Sequence, residues 1–362
     1  MRKVQLALLA LAVALPMGAS RPQTLPPSPP PATPPPFTGE LSVMTYNIHG
    51  APWPVAWDRP AKLASIATTL RVLRREGRNP HIVVLQEAFT QEAQSVGRAA
   101  GYRYIADGPS ADMAGAAIPG DAHLAPSSSD FSMKGEGIGK YVGSGLQILS
   151  DYPVMEVHRV AYPASACAGY DCLANKGALM AAIRLPGYPV PIDVVTTHLN
   201  SRHASKVSDG RSLRAFRLQI ACLTDFIRKR HSPERALIVA GDFNVGRVMA
   251  RRTALLTDAG TRWLPNGDVM RDAYGAADKA RIVLSSDALF SRNRAKDWVF
   301  YAPGQATDMN LLKIDVPFGH AANGSMLSDH VGYTAIFRLS HRSPTFTSFA
   351  RSKASAFADA RA

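Results

Sequence analysis

Six apolar segments of this sequence each carry, at one end, a residue that can bind a metal ion or transfer a proton. The segments span residues 43–47, 82–87, 194–200, 237–244, 297–300 and 328–330. Their polar residues are Asn47, Gln86, Glu87, His198, Asn200, Asp242, Asn244, Asp297, Asp329 and His330. Strands of one sheet tend to end at a common edge, so these side chains are expected to converge. Carboxylates, amides and imidazoles in one place suit a hard divalent cation and an attack of water on phosphorus.

Each motif alone is weak evidence, because a carboxylate after a strand usually stabilises a turn. The argument depends on all six motifs occurring in this order. No thiolate lies within them, which disfavours a structural zinc site. The sequence also lacks a recognisable serine or cysteine nucleophile motif, which favours direct attack by water.

Short apolar runs alternate with segments of helical periodicity between residues 40 and 340. Strands are predicted at 41–47, 82–86, 146–149, 179–185, 192–197, 237–240, 298–301 and 331–337. Helices are predicted at 60–75, 90–100 and 213–229, the last with Leu213, Phe216 and Ile220 on one face. Segments 108–132 and 135–141 are rich in small and polar residues and are predicted loops. This mixture predicts an α/β or α+β domain.

The ordered motifs resemble those of the endonuclease/exonuclease/phosphatase superfamily, whose members share a DNase I-like fold. The resemblance covers about residues 40–340, and the Gly-Asp-Phe-Asn (241–244) and Ser-Asp-His (328–330) motifs are its most specific parts. It implies a four-layer α/β (α+β) sandwich of two facing mixed β-sheets flanked by helices. The site would lie at one rim of the sandwich.

The resemblance also implies a role for each polar residue. Asn47 and Glu87 would hold the principal Mg²⁺, with help from Asp329, and Mn²⁺ or another divalent cation could substitute. Asp242 and Asn244 would contact the reacting phosphate and the attacking water, or a second metal.

The two histidines would have different tasks. His330 would be the general base, oriented by Asp297, because an imidazole can accept a proton near neutral pH. His198 would bind the phosphate or assist the leaving group, and Asn200 would contact the substrate beside it.

A second segment indicates a branch of the superfamily. The Asn175-Lys176-Gly177 sequence before an apolar strand resembles the equivalent segment of sphingomyelinases rather than that of DNase I-type nucleases. Lys176 would then neutralise a phosphate oxygen of the substrate. The alternative, taken without the family, is a solvated loop lysine.

The charge balance and the N-terminus bear on partners and location. The chain has 41 Lys+Arg against 28 Asp+Glu, a formal net charge of +13, which favours polyanionic partners such as nucleic acid or anionic lipid. Arg2 and Lys3 precede an apolar run at 4–17 that ends in small residues at 18–20, the arrangement of a secretory signal. The alternative is an uncleaved anchor. We expect a secreted protein, periplasmic or extracellular.

The expected organisation is a signal peptide (1–20), a proline-rich linker (21–36), the enzymatic domain (37–340) and a flexible basic tail (341–362). Three cysteines are present, of which Cys167 and Cys172 are close enough in sequence to form a disulfide and would leave Cys222 free. We expect a monomer.

Three hypotheses about function remain open at this point. The first is a secreted Mg²⁺-dependent phosphodiesterase that hydrolyses a phospholipid headgroup of the sphingomyelin type, with peripheral membrane contact. The second is a secreted DNase I-like endonuclease, supported by the basic charge. The third, a binding protein on an inactive scaffold, is disfavoured because the catalytic positions carry competent residues.

Overall fold

The computed structural model describes residues 36–52, 55–120, 134–265 and 268–342. The predicted signal peptide, all but the last residue of the predicted linker, and the predicted tail beyond residue 342 lie outside the described residues. Within the described ranges, no helix has the length and apolarity needed to cross a membrane.

Two six-stranded sheets form the centre of the fold. The first sheet has the order β11-β12-β1-β2-β4-β3 and the second the order β5-β6-β7-β8-β10-β9. The first contains β1 (Glu40–Asn47), β2 (Ile82–Gln86), β3 (Tyr104–Asp107), β4 (Gln147–Ser150), β11 (Thr307–Phe318) and β12 (Gly332–His341). The second contains β5 (Val154–Ala161), β6 (Gly177–Ile183), β7 (Ile192–His198), β8 (Leu237–Asp242), β9 (Arg271–Asp272) and β10 (Asp297–Ala302).

One pair of parallel strands lies inside each sheet, and the other pairings are antiparallel. The parallel pairs are β1 with β2 and β7 with β8. A parallel pair requires a crossover connection, and a long helix provides it in both sheets. These helices are α1 (Arg59–Arg75) and α4 (Asp209–Arg230). The remaining α-helices of the described residues are α2 (Gln91–Ala99), α3 (Arg202–Ser205), α5 (Met249–Thr261), α6 (Ala273–Lys279) and α7 (Ser286–Arg294).

The buried hydrophobic side chains of the described residues form three clusters, each lying between two adjacent layers. Val43, Val84, Val194 and Ile238 belong to the cluster between the two sheets. The outer faces of the sheets carry the other two clusters, one with α1 and α2 and one with α4 and α5. The layers are therefore helix, sheet, sheet and helix, as predicted.

Several elements were not predicted from the sequence. The two longest missed strands, β5 and β11, are partly exposed along their length, and register shifts interrupt the pairing of both. Such edge strands lack the continuous apolar run by which a buried strand is recognised. The predicted loops at 108–120 and 135–141 contain no helix or regular strand, and 121–133 lies outside the described residues.

Candidate active site

The alternation of side chains along the strands places a polar layer at one rim of the sandwich, between the sheets. In β1, Leu41 and Val43 face the central core, so Thr45 and Asn47 face the same way. The same alternation turns Gln86, His198, Asp242 and Asp297 inward at the ends of β2, β7, β8 and β10. Strand register then aligns His198 with Asp242, and Asp242 with Asp297. The predicted convergence of the motifs is therefore a direct consequence of strand period and register.

The backbone turns sharply just beyond three of these strand ends. His49, Glu87 and Asn244 have φ values of 50°, 59° and 50°, a left-handed region that residues other than glycine adopt at a cost. Side chains of the site support two of these turns. Asn47 Oδ1 accepts from the His49 amide at 3.0 Å, and Asp242 Oδ1 accepts from the Asn244 amide at 2.9 Å. Strained backbone held in this way is common at functional sites.

Asp242 lies at the centre of the cluster. Its Oδ2 accepts a hydrogen bond from Asn47 Nδ2 at 3.1 Å and lies 3.6 Å from both His198 Nε2 and His330 Nε2. Asn47 Nδ2 also donates to Glu87 Oε1 at 2.8 Å, and Glu87 Oε1 lies 4.0 Å from His198 Nε2. Two imidazoles, two carboxylates and one amide therefore surround a single small space.

His330 forms an acid–base pair with Asp297. The imidazole Nδ1 lies 2.9 Å and 2.8 Å from the two Asp297 oxygens, and both residues are buried. A carboxylate at Nδ1 holds the proton on that nitrogen, so the lone pair of the neutral ring lies on Nε2. Nε2 faces Asp242 and also lies 3.9 Å from Asp329 Oδ2. This geometry suits a base that removes a proton from a molecule inside the cluster.

The electrostatic surroundings give the two histidines opposite tendencies. Burial by itself lowers the pKa of His330, but Asp297 and Asp242 outweigh it and raise the pKa to about 9. Burial and the Lys176 ammonium hold the pKa of His198 well below its usual value, so this ring is neutral. His198 Nε2 faces the Glu87 and Asp242 carboxylates, whereas its buried Nδ1 has no hydrogen-bond partner among the described residues.

The carboxylates also differ from one another. Burial raises the pKa of Glu87. Burial would do the same for Asp242, but His330, His198 and Lys296 lower its pKa to about 2. Burial raises the pKa of Asp297 against the opposing effect of His330.

These donors fit a hard divalent cation. Glu87, Asp242 and Asp329 each place a carboxylate oxygen within 4.0 Å of Nε2 of His198 or His330. Ligand atoms of Asp242, Asp297 and His330 lie within 4.8 Å of one another. Burial disfavours charge on Glu87, and a cation beside it would offset that penalty. The Asn47 amide turns its nitrogen to Glu87, so its oxygen would serve as a ligand only after rotation of the amide. Magnesium prefers oxygen ligands of this kind.

Asn244, Asn200 and Lys176 lie beside the cluster rather than in it. Asn244 Nδ2 donates to the Leu199 carbonyl at 3.0 Å, and Lys176 Nζ donates to the same carbonyl at 2.9 Å. Lys176 also pairs with Asp171 at 2.8 Å and is only 5% exposed, so it is not a solvated loop residue. Its ammonium is bound internally, and its contact with a phosphate stays a prediction.

The side chain of Asn200 is committed to the protein interior. It is fully buried, donates to Asp171 Oδ2 at 2.9 Å and accepts from Ser212 Oγ at 2.8 Å. Asn200 lies beyond the end of β7, so the strand alternation that would aim it at the substrate does not apply. Contact between Asn200 and a substrate stays a prediction, and the structure instead gives it an internal positioning role.

Four residues near the cluster were not recognised from the sequence. Lys296 Nζ lies 3.4 Å from His330 Nε2, and His49 Nδ1 lies 3.5 Å from Asp329 Oδ1. Asp171 pairs with Lys176, and Arg251 binds the loops that follow β7 and β8. Lys296 and His49 adjoin the predicted motifs, so widening each motif by one or two residues would have found them. Asp171 lies five residues before Lys176 and Arg251 seven residues after Asn244, but neither belongs to a motif of the site.

The chain is similar in sequence to a known protein family and to curated proteins. Residues 44–330 match the Endonuclease/Exonuclease/phosphatase family. A sphingomyelinase of Mycobacterium bovis is 24% identical over 295 residues, which cover 81% of this chain and 51% of the relative. The chain thus spans about half the length of the curated relatives it matches.

Two solved structures share the fold. A mutant beta toxin of Staphylococcus aureus with bound magnesium ions has a TM-score of 0.53 and 17% identity, covering 82% of this chain and 99% of that one. D. rerio TDP2 complexed with a single-strand DNA product has a TM-score of 0.52 and 16% identity, covering 82% of this chain and 98% of that one.

Proposed function

Because the chain belongs to the endonuclease/exonuclease/phosphatase family, we propose that this hydrolase is a secreted, Mg²⁺-dependent phosphodiesterase that cleaves a phospholipid headgroup of the sphingomyelin type. The observation that supports it most is the His330–Asp297 pair, whose Nε2 opens on the same space as Glu87, Asp242 and His198. A base, a metal-binding carboxylate set and a second imidazole are what hydrolysis of a phosphodiester by water requires.

Each side chain has a separate part in this reaction. His330 Nε2 accepts a proton from the attacking water, while Asp297 holds the opposite ring nitrogen and stabilises the imidazolium that forms. His198 Nε2 faces the substrate oxygen that leaves. Asn47 fixes Glu87 and Asp242 relative to one another. Glu87 and Asp242 would hold a divalent cation, whose positive charge would stabilise developing charge on the phosphate oxygens and favour the neutral form of His330.

Exposed apolar side chains on the segments that adjoin the Lys176 loop support a lipid substrate. Ile138, Tyr141 and Tyr170 are 52%, 71% and 50% exposed. The Tyr141 amide donates to the Leu173 carbonyl. Leu173 precedes Lys176, whose ammonium binds the carbonyl of Leu199, the residue after His198. Aromatic side chains of this kind insert at membrane interfaces. We propose peripheral contact by a monomer, and expect that replacing Tyr141 and Tyr170 by Ser weakens sedimentation with phosphatidylcholine–sphingomyelin vesicles while hydrolysis of a soluble phosphodiester is unchanged.

The decisive experiment measures phosphocholine release from sphingomyelin by the purified chain from residue 21 onward, with Mg²⁺ and with EDTA. We expect Mg²⁺-dependent release that disappears in His330→Ala. The matched control is His158→Ala, which removes another carboxylate-paired histidine, one that lies in β5 away from the cluster. Release without Mg²⁺, or full activity of His330→Ala, would contradict the mechanism.

A nuclease is the second candidate, favoured by the net charge of +13. Nicking of supercoiled plasmid at low salt, with no release from sphingomyelin, would move the assignment to DNA and keep the mechanism. Secretion is tested by N-terminal sequencing of protein recovered from periplasm or medium, where we expect a mature end near residue 21.

A further inference from the structure

Lys296 places a cation at the reactive nitrogen of the proposed base. It lies just before β10, next to Asp297, and is half-buried. Its Nζ lies 3.4 Å from His330 Nε2, whereas Asp297 contacts Nδ1 of the same ring. Two consecutive residues therefore contact the two nitrogens of one imidazole.

Other cations near the cluster are held by internal acceptors. Lys176 Nζ binds Asp171 and the Leu199 carbonyl, and Arg59 donates to the carbonyls of Ile48 and Leu327. Arg294 donates to the Asp329 carbonyl. Lys296 differs from these three because, among the described residues, its Nζ has a polar contact with His330 Nε2 and no ion pair within 4.0 Å.

The ammonium nevertheless acts on the whole cluster. Burial raises the pKa of Asp297 and the Lys296 charge opposes this effect, while His330 and Lys296 both contribute to the lowered pKa of Asp242 and Asp329, so the ammonium lies close to all three carboxylates. An ammonium has three donors on a flexible stem, and one weak contact with an imidazole leaves most of this capacity unused. An anion bound between the carboxylates and the two histidines would be able to accept hydrogen bonds from Lys296 Nζ.

We propose that Lys296 is a substrate-binding catalytic residue that donates from Nζ to a nonbridging oxygen of the scissile phosphate; this rests on the proposed phosphodiesterase function. When the Lys296 ammonium donates to the phosphate, it no longer contacts His330 Nε2. This nitrogen can then accept the proton of the attacking water. The water oxygen then bonds to phosphorus and the bond from phosphorus to the leaving oxygen breaks. The leaving oxygen takes a proton from solvent water, and His330 returns to solvent the proton that it accepted. Lys296 remains an ammonium throughout.

The test compares Lys296→Met, Lys296→Arg and the control Lys229→Met, in which an exposed lysine of α4 paired with Asp225 is lost. Isothermal titration with inorganic phosphate in Mg²⁺ measures binding, and steady-state kinetics on sphingomyelin measures kcat and KM. A charge-assisted hydrogen bond corresponds to a factor of about 10 to 100. We therefore expect Lys296→Met to weaken phosphate binding and lower kcat/KM by about that factor. Lys296→Arg should restore most of the binding, and Lys229→Met should match the wild type.

Each outcome is informative. Unchanged phosphate affinity and kcat/KM in a folded Lys296→Met, verified by its thermal unfolding, would show that the lysine only balances charge and would overturn the proposal. If the Lys296→Met variant does not fold, failure of Lys296→Arg to bind phosphate would equally overturn the proposal. If the wild type cleaves no phosphodiester but loses phosphate binding on Lys296→Met, the anion site stands and the proposed function fails.

Discussion

Replacement of Arg251 by Met is expected to lower both stability and activity, although Arg251 lies outside the proposed cluster. This guanidinium is 1% exposed and donates five hydrogen bonds, to the carbonyls of Asn200, Asn244 and Ser212 and to the side chains of Asn200 and Ser212. It also lies 4.5 Å from the centre of the Phe216 ring. Arg251 therefore joins the loops that follow β7 and β8 to helix α4.

The magnitude follows from the groups that the substitution leaves behind. Methionine fills most of the apolar space but donates nothing, so buried carbonyl and side-chain oxygens lose a charged donor. Removing one partner from a buried, charged hydrogen-bond network costs about 3–5 kcal/mol. At roughly 2–3 °C per kcal/mol for a domain of this size, the unfolding temperature should fall by roughly 10 °C.

Urea unfolding followed by circular dichroism measures the free energy, and phosphocholine release measures activity below the unfolding transition. Arg252→Met is the matched control, because Arg252 is the next residue of α5 and is exposed. We expect the Arg251→Met protein to lose activity even where it is folded, because Asn244 and Asp242 share one turn. A loss of under about 1 kcal/mol, with normal activity, would refute this account of the network.

Three further predictions concern other parts of the chain. Mg²⁺ at about 100 times its Kd should stabilise the wild type by about 2.7 kcal/mol, and Glu87→Gln should lose most of this shift in differential scanning calorimetry; an equal response would contradict a site at Glu87. Burial lowers the pKa of His81 to about 4, and the Ser42 amide donates to its Nδ1 at 3.1 Å, so the unfolded chain binds more protons between about pH 6.5 and 4. Stability should thus be complete above that window and fall by up to about 3 kcal/mol as pH drops through it, a slope that urea titrations of His81→Gln should lack. Replacing Cys167 and Cys172 by Ser removes a disulfide across five residues and should cost about 2 kcal/mol in urea unfolding, with no loss disproving its contribution.

The sequence was sufficient to predict the interior strands and the residues that meet at their ends. The reason is physical: the two-residue period of a strand relates each buried Val or Ile to the polar residue two or four positions later. Val43 thus predicts the orientation of Asn47, and Val194 that of His198. The disulfide permitted by the spacing of Cys167 and Cys172 is also present.

Features that depend on tertiary contacts could not be read in this way. Lys176 carries the charge expected for phosphate binding, but it pairs with Asp171 of the short 3-10 helix at Gly169–Leu173. The hydrophobic pattern of the sequence does not predict this helix. Asn200 shares the spacing of a strand residue, yet the strand has ended two residues earlier. Arg251 has the composition of a surface helix residue and becomes buried only because α5 packs on α4.

The pairing of β1 with β12 also governs when the enzyme can become active. The first strand of the domain pairs in the sheet with its last, from Glu40 opposite Arg338 onward, and the Ser328 hydroxyl donates to the Asn47 carbonyl at 2.7 Å. Contacts so far apart in the chain form slowly, because a long segment must close before they are made. A nascent chain that has reached residue 320 holds Asn47, Glu87 and Asp242 but not His330. The hydrolase therefore gains its proposed base only after residue 330 has been synthesised, so a shorter nascent chain would lack hydrolase activity.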